Sequence, residues 1–138
     1  MFDGMVAIAS GKSSRLGELF NEVPDRVSDA ATFIGLGYSA GGSPTAGYLA
    51  ALAAVFTAYV RAMCKVAGAP QDYCGPMGKP HRIFVTTICA VYLTVSPHEW
   101  QPVWHEWGIP AATLVVVFFG ALLTAGRRLV RAAVYLTR

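Results

Sequence analysis

Charge is what this sequence lacks most. Asp, Glu, Lys and Arg make up only 14% of its 138 residues, and hydrophobic residues 54%. Soluble domains carry about 25% charged residues. A soluble chain of this size exposes much of its surface and needs charge to cover it, so lipid is the more natural solvent here. Between Ala30 and Val60 there is no charged residue at all. Cysteine is scarce too: Cys64, Cys74 and Cys89 form no CxxC pair, which argues against a zinc site and predicts three reduced thiols. The chain opens on Met1–Ser10 with Asp3 and without a basic start before an apolar run, so no signal peptide is expected. It has neither a solenoid repeat nor a low-complexity tail. The net charge of +3 comes from local clusters, which argues against a nucleic-acid partner.

Four apolar stretches are present. They run over 27–39, with a polar front reaching back to Ser14, and over 45–60, 83–95 and 109–126. Tyr38-Ser39-Ala40-Gly41-Gly42-Ser43-Pro44 separates the first two. That composition ends one helix and starts another, with Ser43 as cap and Pro44 at the first helical position. The third stretch is short for a span of about 20 residues. Starting it near Lys79 or Pro80 lengthens it, with cationic ends snorkelling to the interface. The fourth continues past Arg127 and Arg128 through Leu129, Val130, Ala133, Val134 and Leu136. The expectation is a single all-α membrane domain over 1–138, a polytopic transmembrane bundle of four full spans with an N-terminal remnant of a preceding helix.

The cations alternate along the chain. Lys12, Arg15 and Arg26 lie near the N-terminus; Arg61, Lys65, Lys79 and Arg82 flank the middle connection; Arg127, Arg128, Arg131 and Arg138 close the chain. The connections 38–44 and 96–108 carry no Lys or Arg. Under the positive-inside rule this places both termini and the 67–80 loop in the cytoplasm. The 96–108 connection holds Trp100, Trp104 and Trp107 with His98, Glu99, His105 and Glu106. We read it as an interfacial anchor rather than a metal site.

The chemistry-bearing residues lie early. Gly17, Asn21, Asp25 and Asp29 recur every four residues, on one face of a helix. Acidic residues in a membrane helix face a cavity, a partner or an ion. The lesser alternative for Asp25 and Asp29 is a helix-end polar face paired with Arg26 or with a basic residue of the neighbouring span. Pro24 predicts a kink.

The stretch Asp3-Gly4-x-x-Ala7, a gap of eight residues after Ile8, then Gly17-x-x-x-Asn21-x-x-x-Asp25 resembles the motif of CDP-alcohol phosphatidyltransferases, DxxDGxxAR followed by GxxxDxxxD. The first Asp of that pattern would precede Met1, its Arg is Ile8, and its third Asp is Asn21. The chain also lacks the family's first helix and most of its second, a degenerate and N-terminally truncated version of the six-helix domain.

The resemblance implies transfer of a phosphatidyl-type group from a CDP-linked lipid to a small alcohol acceptor, with release of CMP. It implies Mg²⁺ or Mn²⁺ held by Asp3, Asn21 and Asp25, because hard cations take oxygen ligands and neutralise a diphosphate. Asp25 is implied as the general base. Gly4, Ala7 and Gly17 would leave room for the nucleotide, and Glu18 and Glu22 lie near enough to compensate for Asn21. Arg61, Lys65 and Arg82 can bind an acceptor or headgroup phosphate, or anchor the protein to anionic lipids; Lys79 reads as an anchor only. The family also implies an integral cell-membrane location with a cytoplasmic active site, and a homodimer. The alternatives are an inactive relative serving as a membrane binding module, a fragment of a longer enzyme, and an unrelated small transporter with close packing at Gly35, Gly41 and Gly42.

Overall fold

In the computed structural model the described residues are 15–69, 79–97, 99 and 107–137. They form four helices: α1 (Arg15–Gly37), α2 (Pro44–Val66), α3 (Lys79–Val95) and α4 (Ile109–Leu136), with no strand among the described residues. The expected remnant helix and the residues Asp3, Gly4, Ala7 and Ile8 lie outside the described residues, as do Cys74, Trp100 and Trp104.

α2 starts as its sequence dictates. Ser43 adopts an extended conformation, its hydroxyl accepts from the Ala46 amide at 3.4 Å, and Pro44 follows in the first turn. That bond satisfies one of the donors a helix start leaves open. α1 runs on through Pro24.

α2 is the central helix, packed on α1 and α4, while α3 lies lightly against α4 and α1. Small residues make the close approach possible. Ala46, Ala50, Ala53 and Ala54 are buried on α2 against Phe33 and Leu36 of α1 and Leu114 and Val117 of α4. A Cβ on Gly47 would sit 2.8 Å from the Phe33 carbonyl oxygen, so the α1–α2 crossing needs glycine there. The Thr57 hydroxyl lies 2.8 Å from the Ala53 carbonyl and 3.1 Å from that of Ala121, linking α2 to α4 in the core. At the opposite end the two connections without Lys or Arg meet. Gly41 has φ +72°, the left-handed region glycine favours, and its carbonyl accepts from the Gly108 amide at 2.7 Å.

Two of the four helices are long and apolar enough to cross a membrane: α2, with mean hydropathy 1.5, and α4, with 2.1. Only 33% and 39% of their apolar windows are buried inside the protein, so most of that surface faces outward. Over their described residues the other two do not meet that measure. α1 carries Glu22, Asp25, Arg26 and Asp29 in its first half. α3 has 17 residues, about 25 Å of helix against a hydrocarbon core of about 30 Å. α4, by contrast, reaches Arg127 after about 27 Å, near the full hydrocarbon thickness.

Candidate functional site

The charged ends of the four helices converge. On α1 the inward stripe is Glu22, Arg26, Asp29, Phe33 and Leu36, alternating steps of four and three. Its apolar half enters the core and its charged half continues the same face past the core. α4 does the same through Leu114, Val117, Ala121 and Thr124 to Arg128, and α3 presents Arg82, Thr86 and Cys89. α2 contributes Thr57 and Arg61.

These residues form an ion-pair network. Glu22 is its brace, 3.1 Å from Arg26 and 2.8 Å from Arg61. Asp29 takes Arg82 of α3 at 3.1 Å and stands 3.8 Å from Arg26. Lys79, the first residue of α3, pairs with Asp25. Arg82 is 2% exposed and Asp29 8%, so this pair is buried.

Two recesses flank the network. A small cleft of about 30 Å³ is lined by Glu22, Arg26, Thr57, Arg61, Lys79, Arg82 and Arg128. Among the described residues five cations line it beside one carboxylate, Glu22, so its lining is rich in cationic side chains. The Nε–H groups of Arg26 and Arg82 are buried and donate to nothing, and a buried unused donor is costly. Lys79 and Arg82 also stand in the first turn of α3, where free amides and the helix dipole favour negative charge. The cleft has the chemistry of an anion site, with room for about two waters or a few anion oxygens. A second recess of about 240 Å³ lies between α1 and α3, lined by Asp25, Ser28, Asp29, Thr32, Phe33, Lys79, Thr86 and Thr87.

The sequence expectations fare unequally. Arg61 and Arg82 come together at the cleft. Lys65, one turn beyond Arg61, is exposed and outside its lining. Lys79, expected as an anchor, is instead an ion-pair partner of Asp25. Gly17 and Asn21 are exposed, Asp25 is half-buried and Asp29 buried. The four-residue ladder thus winds around α1 rather than holding one face, because each step of four overshoots a full turn by about 40°. Arg26, Arg128 and Thr57 were missed as cleft residues. Arg128 was legible in principle, since it extends the buried 114-117-121-124 stripe by one more step of four.

A divalent cation fits the described residues poorly. Among them no three His, Cys, Asp or Glu side chains converge to hold a metal. Asp25 and Asp29 already have Lys79 and Arg82 as counter-ions. Asp3, the remaining expected ligand, lies outside the described residues. Cys64 and Cys89 are free thiols, as expected.

No protein-family model matches the chain, and no solved structure matches it. Two curated proteins are similar. The phosphatidylinositol phosphate synthase of Mycobacteroides abscessus is 30% identical over 123 residues, covering 85% of this chain and 56% of that protein. The inner membrane protein YnbA of Escherichia coli is 23% identical over 105 residues, covering 76% of this chain and 50% of that protein. The chain spans about half the length of the curated relatives it matches. The likeness to a phospholipid-synthesising transferase, carried through 85% of the chain, supports kinship with the CDP-alcohol phosphatidyltransferases.

Proposed function

We propose that this chain is the acceptor-binding part of a membrane phosphatidyltransferase of phospholipid synthesis. It uses a CDP-linked lipid as donor and a small alcohol bearing a phosphate as acceptor, at the cytoplasmic face. The observation that carries this reading is the cationic cleft at the meeting point of all four helices, in a chain similar to a phosphatidylinositol phosphate synthase. Guanidinium groups match phosphate oxygens in charge and geometry. An acceptor phosphate seated on Arg26, Arg61, Arg82 and Arg128 is held at a fixed point, and its hydroxyl is thereby oriented.

The reaction follows from that placement. The acceptor hydroxyl oxygen bonds to the lipid-side phosphorus of the donor. The bond from that phosphorus to the oxygen bridging the cytidine phosphate breaks, and CMP leaves with that electron pair. Asp25, at the rim of the second recess, takes the hydroxyl proton. Gly17, with Gly4 and Ala7, leaves space for the nucleotide. Holding both partners in line supplies much of the rate. The Mg²⁺ or Mn²⁺ expected with Asp3, Asn21 and Asp25 has no cage among the described residues, and no step is assigned to it. The bilayer supplies the donor, and a second copy of the chain belongs to the proposal by resemblance.

A second reading, a non-catalytic module that binds anions at the membrane, draws on one observation: Asp25 and Asp29 are both neutralised by protein cations. One assay separates the two. Membranes containing the chain are given CDP-diacylglycerol with phosphorylated or unphosphorylated alcohols, with Mg²⁺, Mn²⁺ or neither, and CMP release is followed. Release that needs a phosphorylated acceptor and disappears in Asp25→Asn supports the transferase. Phosphate binding without CMP release moves the assignment to the binding module.

A further inference from the structure

The cleft and the second recess share a single lining residue, Lys79. Its ammonium belongs to the cationic rim of the cleft, yet its partner, Asp25, lines the recess on the other side. The neighbouring cations are differently placed. Arg61 is tied to Glu22 and Arg82 to Asp29, within the network that shapes the cleft. Arg82 is also buried and fixed, whereas the Lys79 and Asp25 side chains are 36% and 32% exposed. Lys79 is a point charge on a flexible four-carbon stem and stands at the first position of α3, where the helix restrains it least. It is therefore the cation of the cleft best able to change partners.

We infer that Lys79 is a positioning residue that couples the two recesses: an anion entering the cleft draws the Lys79 ammonium off Asp25 and frees that carboxylate. The inference rests on the reading of the cleft as a phosphate site and assigns it a consequence. With the cleft empty, the Asp25 carboxylate is occupied by the Lys79 ammonium. Once a phosphate is bound, the ammonium has a dianion to satisfy it among four guanidinium groups, and Asp25 faces the recess without its counter-ion. Asp25 then becomes competent only when the phosphate-bearing ligand is in place. An alcohol lacking phosphate meets a carboxylate still held by Lys79.

The pair can be read without any turnover. A carbodiimide joins a carboxylate to an amine in direct contact, so the purified full-length chain treated with it should give an Asp25–Lys79 amide, identified by mass spectrometry. Inorganic phosphate is the probe, its binding measured on the same sample by calorimetry, with chloride at equal ionic strength as the reference. Labelling of exposed Glu99 by an added amine reports reagent strength. With phosphate at ten times its own Kd, the cross-link should fall about tenfold if the two states of Lys79 are mutually exclusive. In Arg61→Gln, which weakens the cleft about tenfold or more while leaving the pair, the same phosphate concentration should lower the cross-link by no more than about twofold. Phosphate binding with an unchanged cross-link would overturn the coupling and leave the phosphate site standing. Absence of phosphate binding would overturn both, and absence of the cross-link without phosphate would overturn the coupling at its first step.

Discussion

Arg82 of α3 and Asp29 of α1 meet at 3.1 Å with both side chains buried. α3 packs lightly elsewhere, so this pair and Asp25–Lys79 are the polar ties that hold its start against α1. Removing one member of a buried pair leaves the other charge without a partner.

Asp29→Asn and Arg82→Gln should therefore each lower stability by about 3–5 kcal/mol, the usual cost of breaking a buried pair from one side. Thermal unfolding in detergent, followed by fluorescence of the tryptophans, measures the loss. The double variant should recover part of it, because no uncompensated charge remains. Additive losses would show that the two residues act independently.

Arg61 belongs to both the fold and the cleft. It braces Glu22 at 2.8 Å while its side chain stays one-third exposed. Exposed pairs add little stability, so Arg61→Gln should leave the melting temperature within about 2 °C of the parent, given roughly 0.5 kcal/mol lost in a domain this size. Affinity for phosphate should fall about tenfold or more, as expected when one charge-assisted bond of roughly 1.5–3 kcal/mol is removed. Arg61→Lys keeps the charge but loses the planar fork, and its affinity should lie between the two. A melting temperature that collapses while phosphate still binds would make Arg61 structural only.

Much of the architecture was readable in advance. The Ser43-Pro44 start of α2 follows from capping chemistry, and the ends of the four helices fall close to the apolar stretches. The clustering of Arg61 with Arg82 was also legible, because connections of alternating charge bring alternate helix ends together. The pairing of Asp25 with Lys79 was not, since those residues are 54 positions apart. Which carboxylate meets which cation depends on the rotation of α1 and α3 about their axes. Spacing by four suggested one acidic face, but the helix repeat is 3.6 residues, so Asn21 turns outward while Asp29 turns in. Among the described residues only α2 and α4 meet the length and apolarity of a span, for a related reason. Length and apolarity are local properties, but α1 and α3 give part of their length to the charged network.

Orientation is tested by labelling. If the cationic ends face the cytoplasm, a cysteine placed at Ser39 should react with a membrane-impermeant maleimide added to intact cells, in a chain whose native cysteines are replaced by serine or alanine. A cysteine at Lys65 should react only after the membrane is opened. The reverse pattern would invert the topology and place the cleft outside.

Glycine positions give the sharpest structural contrast. Gly41 holds φ +72°, and a Cβ there would lie 3.1 Å from the Gly108 Cα. Gly41→Ala adds strain from the left-handed backbone, about 1–2 kcal/mol, to a contact that can give only by moving backbone. It should also loosen the 2.7 Å Gly108–Gly41 bond that joins the two connections lacking Lys and Arg. Gly126 on α4 is the matched control. Nothing lies within 4 Å of its would-be Cβ, and alanine in a helix interior is favoured over glycine by about 1 kcal/mol. Gly126→Ala should therefore hold or raise the melting temperature, while Gly41→Ala lowers it by several degrees, roughly 4–8 °C per kcal/mol in a domain of 60–100 residues and less in a longer one. Equal melting temperatures for the two variants would mean that the Gly41–Gly108 contact does not hold α4 against the α1–α2 turn, and that the bundle is closed by its helix packing alone.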